Sequence, residues 1–244
     1  MVVTEGVIAC MATIPARRSK LKKVVMSLID QVDKVFIYMN GHKSAPAWMK
    51  DHDKIGYVLS ENSPEGDMGD AGKFYWAEVH QGVYLTVDDD LIYPPDYVAQ
   101  MLAGLESVKH RAVVTMHGAL INRGAREYHA GKKLYPLLSV QHKTRHVHIG
   151  GTGCMAFDTE LIRPLATWFK KPNMADIWIG AACQRFKIPI VMIPHDGTNF
   201  ELIRWKKTIY DATSSKDGSE MDASETINEI IRNTDWRLPP IVGR

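Results

Sequence analysis

This 244-residue sequence has few cysteines, no long apolar run and little net charge. These features argue against a disulfide-stabilised protein, a membrane-spanning protein and a general polyanion binder. The three cysteines (Cys10, Cys154 and Cys183) are odd in number and have no metal-like spacing, so buried thiols are expected rather than a disulfide framework. No apolar run approaches the ~20 residues that a membrane-spanning helix needs. The formal net charge is only +2, which argues against general binding to polyanions.

The beginning of the chain also lacks a basic segment ahead of its short apolar stretch, which argues against a signal peptide. We therefore expect a cytoplasmic protein. The composition is 45% hydrophobic and 24% charged, an ordinary balance for a globular chain that buries a sizeable core. Residues 1–205 are expected to form a single domain. Residues 206–244 are expected to form a mobile loop over 206–225 and a C-terminal helix or tail packed on that domain.

Apolar runs alternate with helical patterns along the chain, which is typical of an α/β fold. Because most of the runs are continuously apolar, a mainly parallel sheet with helices on both faces is expected. Strands are predicted over 7–13, 35–39, 58–59, 83–87, 112–116, 153–157 and 188–193. Helices are predicted over 19–30 with Ser19 as N-cap, 74–81, 96–108, 176–186 and 226–233. Ligands on such sheets bind at the carboxyl ends of the strands, where the polar motifs lie.

The strongest chemical signal is the acidic triplet that follows the apolar strand at 83–87. Because side chains alternate along a strand, Asp88 and Asp90 are expected on one side and Asp89 on the other. Two carboxylates in this position can hold Mg²⁺ or Mn²⁺, which prefer oxygen ligands and often share them with substrate phosphates. A cation also relieves the repulsion between adjacent carboxylates. The alternative interpretation is an acidic turn or a capping cluster. That interpretation does not explain well why three aspartates stand between an apolar strand and a Tyr-Pro-Pro turn.

The residues around this triplet resemble the bacterial heparosan-type capsule α-N-acetylglucosaminyltransferases. The specific part is AGKF at 71–74 and LTVDDDLIYPPDYVAQML at 85–102. Weaker similarity lies at 11–40 and in the Gly-Thr-Gly of 151–153, and in motif order the resemblance spans about residues 7–205. It implies a Rossmann-like GT-A fold, a UDP-sugar donor and a divalent cation, Mn²⁺ or Mg²⁺. It also suggests a second transferase as a partner.

The same resemblance implies the residues of the site. Asp90 is the main metal ligand, with Asp88 beside it, and Asn40 contacts uridine. Asp70 and Lys73 contact the nucleotide or its phosphates. The full set of implied donor-binding residues is Ala12, Thr13, Ile14, Arg17, Asn40, Asp70, Lys73, Asp88, Asp89, Gly151, Thr152 and Gly153. Taken alone, Lys73 is explained as a surface lysine and Asn40 before Gly41 is equally well a turn residue. Arg17 could be a solvated residue, but a cation gains nothing from the dipole in the first helical turn, which favours a phosphate role.

Two further candidates lie late in the chain. Asp176 opens an apolar helix, where a helix cap is the common explanation, but an acidic residue facing the sugar at such a helix start serves catalysis in many GT-A enzymes. It would act as a base in an inverting reaction, or stabilise the sugar cation in a retaining one. His195 is expected as a third metal ligand, with a loop histidine as the alternative. His148 is expected to line the acceptor or sugar pocket.

The acceptor is the open question, and a basic segment bears on it. Residues 123–148 hold three arginines, three lysines and four histidines against one glutamate. They form either a solvated loop or a surface for an anionic acceptor or phosphate. The first hypothesis is transfer of a sugar, with N-acetylglucosamine favoured, to a glycan or polysaccharide. The second is the same chemistry on hydroxymethylated bases in DNA. The third is a non-catalytic nucleotide-sugar binding or nucleotidyltransferase module, which the missing Gly-rich loop near residue 13 disfavours.

Overall fold

A computed structural model describes residues 4–205 and 218–241. Its helices are α1 (Arg18–Leu28), α2 (Ala47–Lys50), α3 (Tyr97–Ser107), α4 (Ala175–Phe186) and α5 (Gly218–Asn233). Its strands are β1 (Thr4–Thr13), β2 (Lys34–Met39), β3 (Ile55–Leu59), β4 (His80–Val87), β5 (Leu91–Ile92), β6 (Val113–Thr115), β7 (Gly118–Ile121), β8 (Lys132–Tyr135), β9 (Val140–Gln141), β10 (Arg145–Val147), β11 (Ile149–Gly150), β12 (Cys154–Asp158), β13 (Ile190–Met192), β14 (His195–Asp196) and β15 (Glu201–Leu202). Short 3₁₀ turns cover Pro15–Arg17, Ser60–Asn62, Gly69–Phe74, Ala166–Trp168 and Gly197–Asn199.

An eight-stranded sheet forms the centre, in the order β10-β13-β6-β12-β4-β1-β2-β3. The pairings β1–β2, β1–β4, β2–β3 and β6–β13 are parallel, while β12 is antiparallel to both β4 and β6, and β10 is antiparallel to β13. Six strands therefore run in one direction and two run against them. A second sheet, β11-β7-β8, lies beside the main one and carries part of the basic segment.

Side chains of β1 alternate between two apolar cores. Ala9 and Met11 pack with buried residues of α1 and α3 on one face of the sheet. Ile8 and Cys10 pack with α4 and with the 3₁₀ turn Gly69–Phe74 on the other. The predicted fold class is therefore confirmed: a Rossmann-like, mainly parallel sheet with helical segments on both faces, as expected of the GT-A type. The three cysteines are buried and unpaired, as predicted.

Several local predictions are wrong. Residues 74–81 do not form a helix, because the 3₁₀ turn Gly69–Phe74 and a run of turns lead directly into β4. The aromatic rings there are held by the core: Phe74 lies 4.9 Å from Phe169 and Trp76 lies 4.9 Å from Phe36, centroid to centroid. Tertiary packing thus overrides a weak local preference.

Two helix beginnings also differ from the sequence prediction. Helix α1 begins at Arg18 and continues the 3₁₀ turn that Pro15 starts, so Ser19 lies inside the helix and is not its N-cap. The loop predicted over 206–225 falls partly outside the described residues, but α5 already begins at Gly218. Ile227 and Ile231 of α5 pack against Met174 and Ile177 around α4. No helix in the described ranges is long and apolar enough to cross a membrane.

Candidate functional site

The polar motifs converge at one edge of the main sheet. Strands β1, β2, β4 and β6 all end there, so Arg17, Asn40, the acidic triplet 88–90 and His117, which follow those strands, become neighbours. Strand β12 runs the opposite way, so its beginning brings the Gly-Thr-Gly turn at 151–153 to the same edge. The sequence rule that ligands bind at carboxyl ends of parallel strands thus locates the candidate site.

Two basic side chains, Arg17 and Lys73, neutralise part of the charge of the acidic triplet. The Arg17 guanidinium pairs with Asp89, which is buried, and lies 3.1 Å from Asp90 Oδ2. The Lys73 ammonium lies 2.5 Å from Asp88 Oδ1 and 3.4 Å from the Thr152 hydroxyl. Lys73 is only 4% exposed, so its position between these oxygens is fixed by the fold rather than by solvent.

Tyr93, from the Tyr-Pro-Pro turn, fixes the backbone around Asp88. Its hydroxyl accepts a hydrogen bond from the Asp88 amide at 2.7 Å and donates one to the Gly153 carbonyl at 2.6 Å. A side chain at Gly153 would overlap the Asp88 carboxylate, and one at Gly151 would overlap the His117 ring. Glycines are therefore needed in this turn, because side chains from neighbouring strands occupy the space.

Asp176 stands at the start of α4 but does not cap it. Its Oδ1 accepts hydrogen bonds from the Thr152 amide at 2.8 Å and from the Thr152 hydroxyl at 2.6 Å. The N-cap position is Met174, and the helix start is instead bound by Asp70, whose Oδ2 accepts from the Ala175 amide at 3.0 Å. The capping function considered for Asp176 thus belongs to a residue 105 positions earlier in the chain.

Burial and mutual repulsion shift the pKa values of these carboxyl groups. Burial, followed by repulsion from Asp88, raises the pKa of Asp90 to about 7. Burial likewise raises the pKa of Asp70 to about 6. Burial acts against the ionised form of Asp88 as well, but Lys73 and then Arg17 hold its pKa below the usual range. Carboxylates thus crowd a site where the two cations neutralise only part of their charge.

Two cavities meet at this cluster. The larger, of about 470 Å³, is lined by Arg17, Asp70, Lys73, Asp88, Asp90, His117, Tyr128, His129, Lys132, Leu134, Gly151, Thr152, Gly153, Asn173, Met174, Asp176, Ile177 and Ile227. The smaller, of about 150 Å³, is lined by Ala12, Thr13, Ile14, Arg17, Asn40, Gly69, Asp70, Lys73, Asp88, Asp89 and Asn173. Arg17, Asp70, Lys73, Asp88 and Asn173 line both. The twelve donor-binding residues given above, together with Asp90 and Asp176, each line one of these cavities, whereas the candidates His148 and His195 line neither.

Asn40 contributes to the smaller cavity by fixing a loop. Its side-chain amide donates to the Gly69 carbonyl at 2.8 Å, and its Oδ1 accepts from the Met68 amide at 3.1 Å. These bonds attach the 3₁₀ turn carrying Asp70 and Lys73 to the end of β2. Asn40 is therefore more than a turn residue before Gly41, since it positions two charged side chains of the site.

Two histidines are not where they were expected. His195 is buried in β14, and its ring nitrogens lie 3.2 Å from the Ile193 carbonyl and 3.0 Å from the Leu137 carbonyl. It lines neither cavity, so the prediction of a third metal ligand is wrong for this arrangement of the chain. His148 accepts from the Ile121 amide at 2.9 Å and also lies outside both cavities. Within the described ranges, no group of three or more His, Cys, Asp or Glu side chains is arranged to hold a metal ion.

Part of the larger cavity is formed by residues that no pattern in the sequence indicates. His117 is not among the predicted site residues, although it directly follows the strand predicted over 112–116; burial lowers the pKa of His117 and so favours the neutral ring. Tyr128, His129 and Lys132 belong to the basic segment, which was recognised only as a whole. Ile227 reaches the cavity from α5, a contact that no local pattern in the sequence indicates.

Comparisons with known proteins give limited similarity. No family model matches the sequence, and no curated protein matches it. Among solved structures, glucosyl-3-phosphoglycerate synthase from Mycobacterium tuberculosis with Mn²⁺, UDP-glucose and phosphoglyceric acid is 19% identical, with a TM-score of 0.35 over 51% of this chain and 45% of that one. The same enzyme with phosphoglyceric acid is 18% identical, with a TM-score of 0.41 over 66% and 58%. The match thus spans about half the length of that enzyme, and likeness at this level says nothing about the ligands of this chain.

Proposed function

We propose that this chain is a metal-dependent glycosyltransferase that moves a sugar from a UDP-sugar donor to a hydroxyl of a glycan or polysaccharide acceptor. The observation that carries the proposal is the junction of the two cavities. Asp88, Arg17 and Lys73 line both cavities, whereas Asp90 and Asp176 line the larger cavity only. A charged junction between a small pocket and a larger one suits a donor diphosphate that separates a nucleoside from a reacting sugar.

The proposed site for a hard divalent cation rests on two carboxylates and on the negative charge around them. Four carboxylates (Asp70, Asp88, Asp89 and Asp90) face two cations (Arg17 and Lys73), so the fully ionised cluster has a formal charge of −2. The raised pKa of Asp90 reflects this crowding. Asp88 and Asp90, which both line the larger cavity, would hold Mn²⁺ or Mg²⁺. When bound, the cation offsets the charge that develops on the departing diphosphate.

The smaller cavity suits the nucleoside. Ile14 is 44% exposed at its wall, which offers an apolar surface to a base, and Asn40 and Thr13 are the polar residues beside it. Arg17 and Lys73 line both cavities, so they are placed to bind the diphosphate between them. This assignment agrees with the roles that the resemblance implies for the same residues.

Asp176 is proposed to act on the reacting groups from the larger cavity. Two hydrogen bonds from Thr152 fix its Oδ1 and hence the direction of the carboxylate. In an inverting reaction Asp176 would take the proton from the acceptor hydroxyl. In a retaining reaction it would stabilise the positive charge that develops on the sugar. The capsule transferases that the sequence resembles form an α-linked product from an α-linked donor, which favours retention.

N-acetylglucosamine is the sugar that the resemblance favours, and one or two pocket residues can change that choice.

A second candidate function, the same transfer to hydroxymethylated bases in DNA, is favoured by the basic segment, since His129 and Lys132 line the larger cavity. A third, nucleotide-sugar binding without transfer, rests on the same two cavities. It differs from the others by leaving every donor intact.

The test is release of UDP from a panel of UDP-sugars with Mn²⁺, Mg²⁺ or EDTA, given oligosaccharide or hydroxymethylcytosine-containing DNA acceptors. Turnover that needs the metal and is lost in Asp90→Ala supports the transferase. Asp53→Ala is the matched control, because the Asp53 side chain is 95% exposed. The acceptor that accelerates release decides between glycan and DNA. Donor that is bound but never consumed would leave only the binding function.

A further inference from the structure

His117 is a side chain of the larger cavity to which the proposed reaction assigns no part. It follows β6 at the edge of the main sheet that carries the acidic triplet, and it lines the larger cavity but not the smaller one. Among the residues that the structure describes, none forms a hydrogen bond with the ring nitrogens of His117. Lys73 and Asp176 of the same cavity are bonded to other residues. The His117 ring is therefore left to bond a ligand.

The position of His117 is fixed by its neighbours. Its carbonyl accepts a hydrogen bond from the Gly151 amide at 2.8 Å and another from the buried Thr115 hydroxyl at 2.9 Å. A Cβ atom at Gly151 would lie 2.2 Å from His117 Nδ1, so the glycine makes room for the ring. Because the fold holds the ring in place, little conformational freedom is lost when the ring binds a ligand.

The ring of His117 lies between the two parts of the site that a donor sugar would connect. Burial lowers the pKa of His117, and the charges of Asp176 and then of Asp88 act against that effect, so both carboxylates are close to the ring. Asp88 lines both cavities at the proposed position of the diphosphate, whereas Asp176 lines the larger cavity only. A sugar that extends from the diphosphate towards Asp176 therefore passes His117.

The hydrogen-bonding chemistry of an imidazole suits a sugar hydroxyl. The ring carries one N–H when it is neutral and two when it is protonated, so His117 can donate a hydrogen bond in either form. We propose, on the basis of the function proposed above, that His117 donates this bond to a hydroxyl group of the transferred sugar. A site built in this way rejects a sugar that lacks the hydroxyl, because the enclosed N–H is then left without a partner. His117 is thus a specificity-determining residue for the donor sugar.

The test combines deoxygenated donors with variants of His117. The donors are the UDP-sugar that supports turnover and its 3-deoxy, 4-deoxy and 6-deoxy analogues, and kcat/KM for UDP release by the full chain is measured with and without acceptor. We expect the wild type to use one deoxy donor at least about tenfold less well than the parent donor. In His117→Phe the difference between these two donors should shrink to less than about threefold, because the bond is already absent. His117→Asn or His117→Gln, whose amides lie near the positions of Nδ1 and Nε2, should keep the discrimination.

His52→Phe is the matched control, since His52 lines neither cavity, and it should keep the wild-type discrimination. A deoxy donor that loses as much activity in His117→Phe as in the wild type overturns the inference, and so does a defect of His117→Phe that appears only in the KM for the acceptor. If His117→Phe does not fold, His117→Ala takes its place in the same comparison. UDP release by the wild type that depends on none of the three hydroxyls overturns this inference alone, whereas the absence of UDP release from every donor overturns the proposed function as well.

Discussion

Thr152 donates two hydrogen bonds to the same oxygen of Asp176, one from its amide at 2.8 Å and one from its hydroxyl at 2.6 Å. The two residues are 24 positions apart and come from the turn before β12 and the first turn of α4. The pair therefore fixes a carboxylate of the larger cavity to the edge of the sheet that carries the acidic triplet. The proposed chemistry depends on this orientation.

Replacing the Thr152 hydroxyl by a methyl group tests its effect on Asp176. Thr152→Val removes one hydrogen bond to a charged group, worth about 1.5–3 kcal/mol, so we expect kcat to fall by about 10- to 100-fold. The KM for the donor should change by less than about threefold if Thr152 acts through Asp176. Thr152→Ser keeps the hydroxyl and should restore most of kcat. Equal loss in the two variants would contradict this role of the hydroxyl, because Thr152→Ser retains it.

Tyr93 and Tyr97 offer a matched pair for the stability of the site. The Tyr93 hydroxyl bonds both the Asp88 amide and the Gly153 carbonyl, whereas the equally buried Tyr97 hydroxyl has no hydrogen-bond partner among the described residues. Tyr93→Phe leaves two buried backbone groups without a partner and should lower the free energy of unfolding by about 1–3 kcal/mol. Tyr97→Phe should be neutral or stabilising. Chemical denaturation measures both, and equal losses would contradict this hydrogen-bond assignment.

Gly153→Ala tests how close the glycine turn lies to the proposed metal ligands. The added methyl group would overlap the Asp88 carboxylate and displace it from its place beside Lys73. We expect the apparent affinity for Mn²⁺, measured as the metal concentration that gives half-maximal UDP release, to weaken at least about tenfold, roughly 1.4 kcal/mol. Circular dichroism should show an intact fold. An unchanged metal requirement would place the metal away from Asp88.

His110, which lines neither cavity, makes the stability of the protein depend on pH. Burial opposes the charged form of His110, but hydrogen bonds with Glu106 and Asp158 raise its pKa overall. A raised pKa in the folded state means that the stabilisation is fully present below about pH 6.5 and is lost as pH rises through the folded-state value. His110→Asn should therefore cost more stability at pH 5.5 than at pH 8.5, by less than about 1 kcal/mol because the site is partly exposed. A cost that grows with pH would contradict this.

The parts of the site that sequence predicted are those fixed by local rules. Asp88 and Asp90 follow an apolar strand directly, and strand alternation with the carboxyl-end rule is enough to place both in one cavity. Arg17 and Asn40 likewise follow strands of the same sheet. Because these strands are parallel, the residues that follow them meet at one edge of the sheet. The order of the motifs along the chain is therefore enough to predict that these residues are neighbours.

The remaining features depend on contacts between distant segments. Asp70 accepts a hydrogen bond from the Ala175 amide at the start of α4, although the two residues are 105 positions apart. Asp176 accepts its hydrogen bonds from Thr152 and does not cap the helix. His195 follows a strand as predicted, but two backbone carbonyls occupy its ring nitrogens. Lys132 reaches the cavity only because β7 and β8 pair beside the main sheet. No periodicity or composition of the sequence specifies these pairings.

Calorimetric titration of UDP with and without Mn²⁺ is the first measurement to make, because we propose that a divalent cation and the nucleotide bind together where the two cavities meet. Mn²⁺ should tighten UDP binding at least about tenfold, because the metal ion neutralises both the carboxylates and the diphosphate. Asp90→Asn should remove that enhancement and Asp53→Asn, at an exposed side chain, should keep it. Equal binding of UDP with and without the metal, or an enhancement that persists in Asp90→Asn, would show that no metal ion binds between Asp90 and the nucleotide.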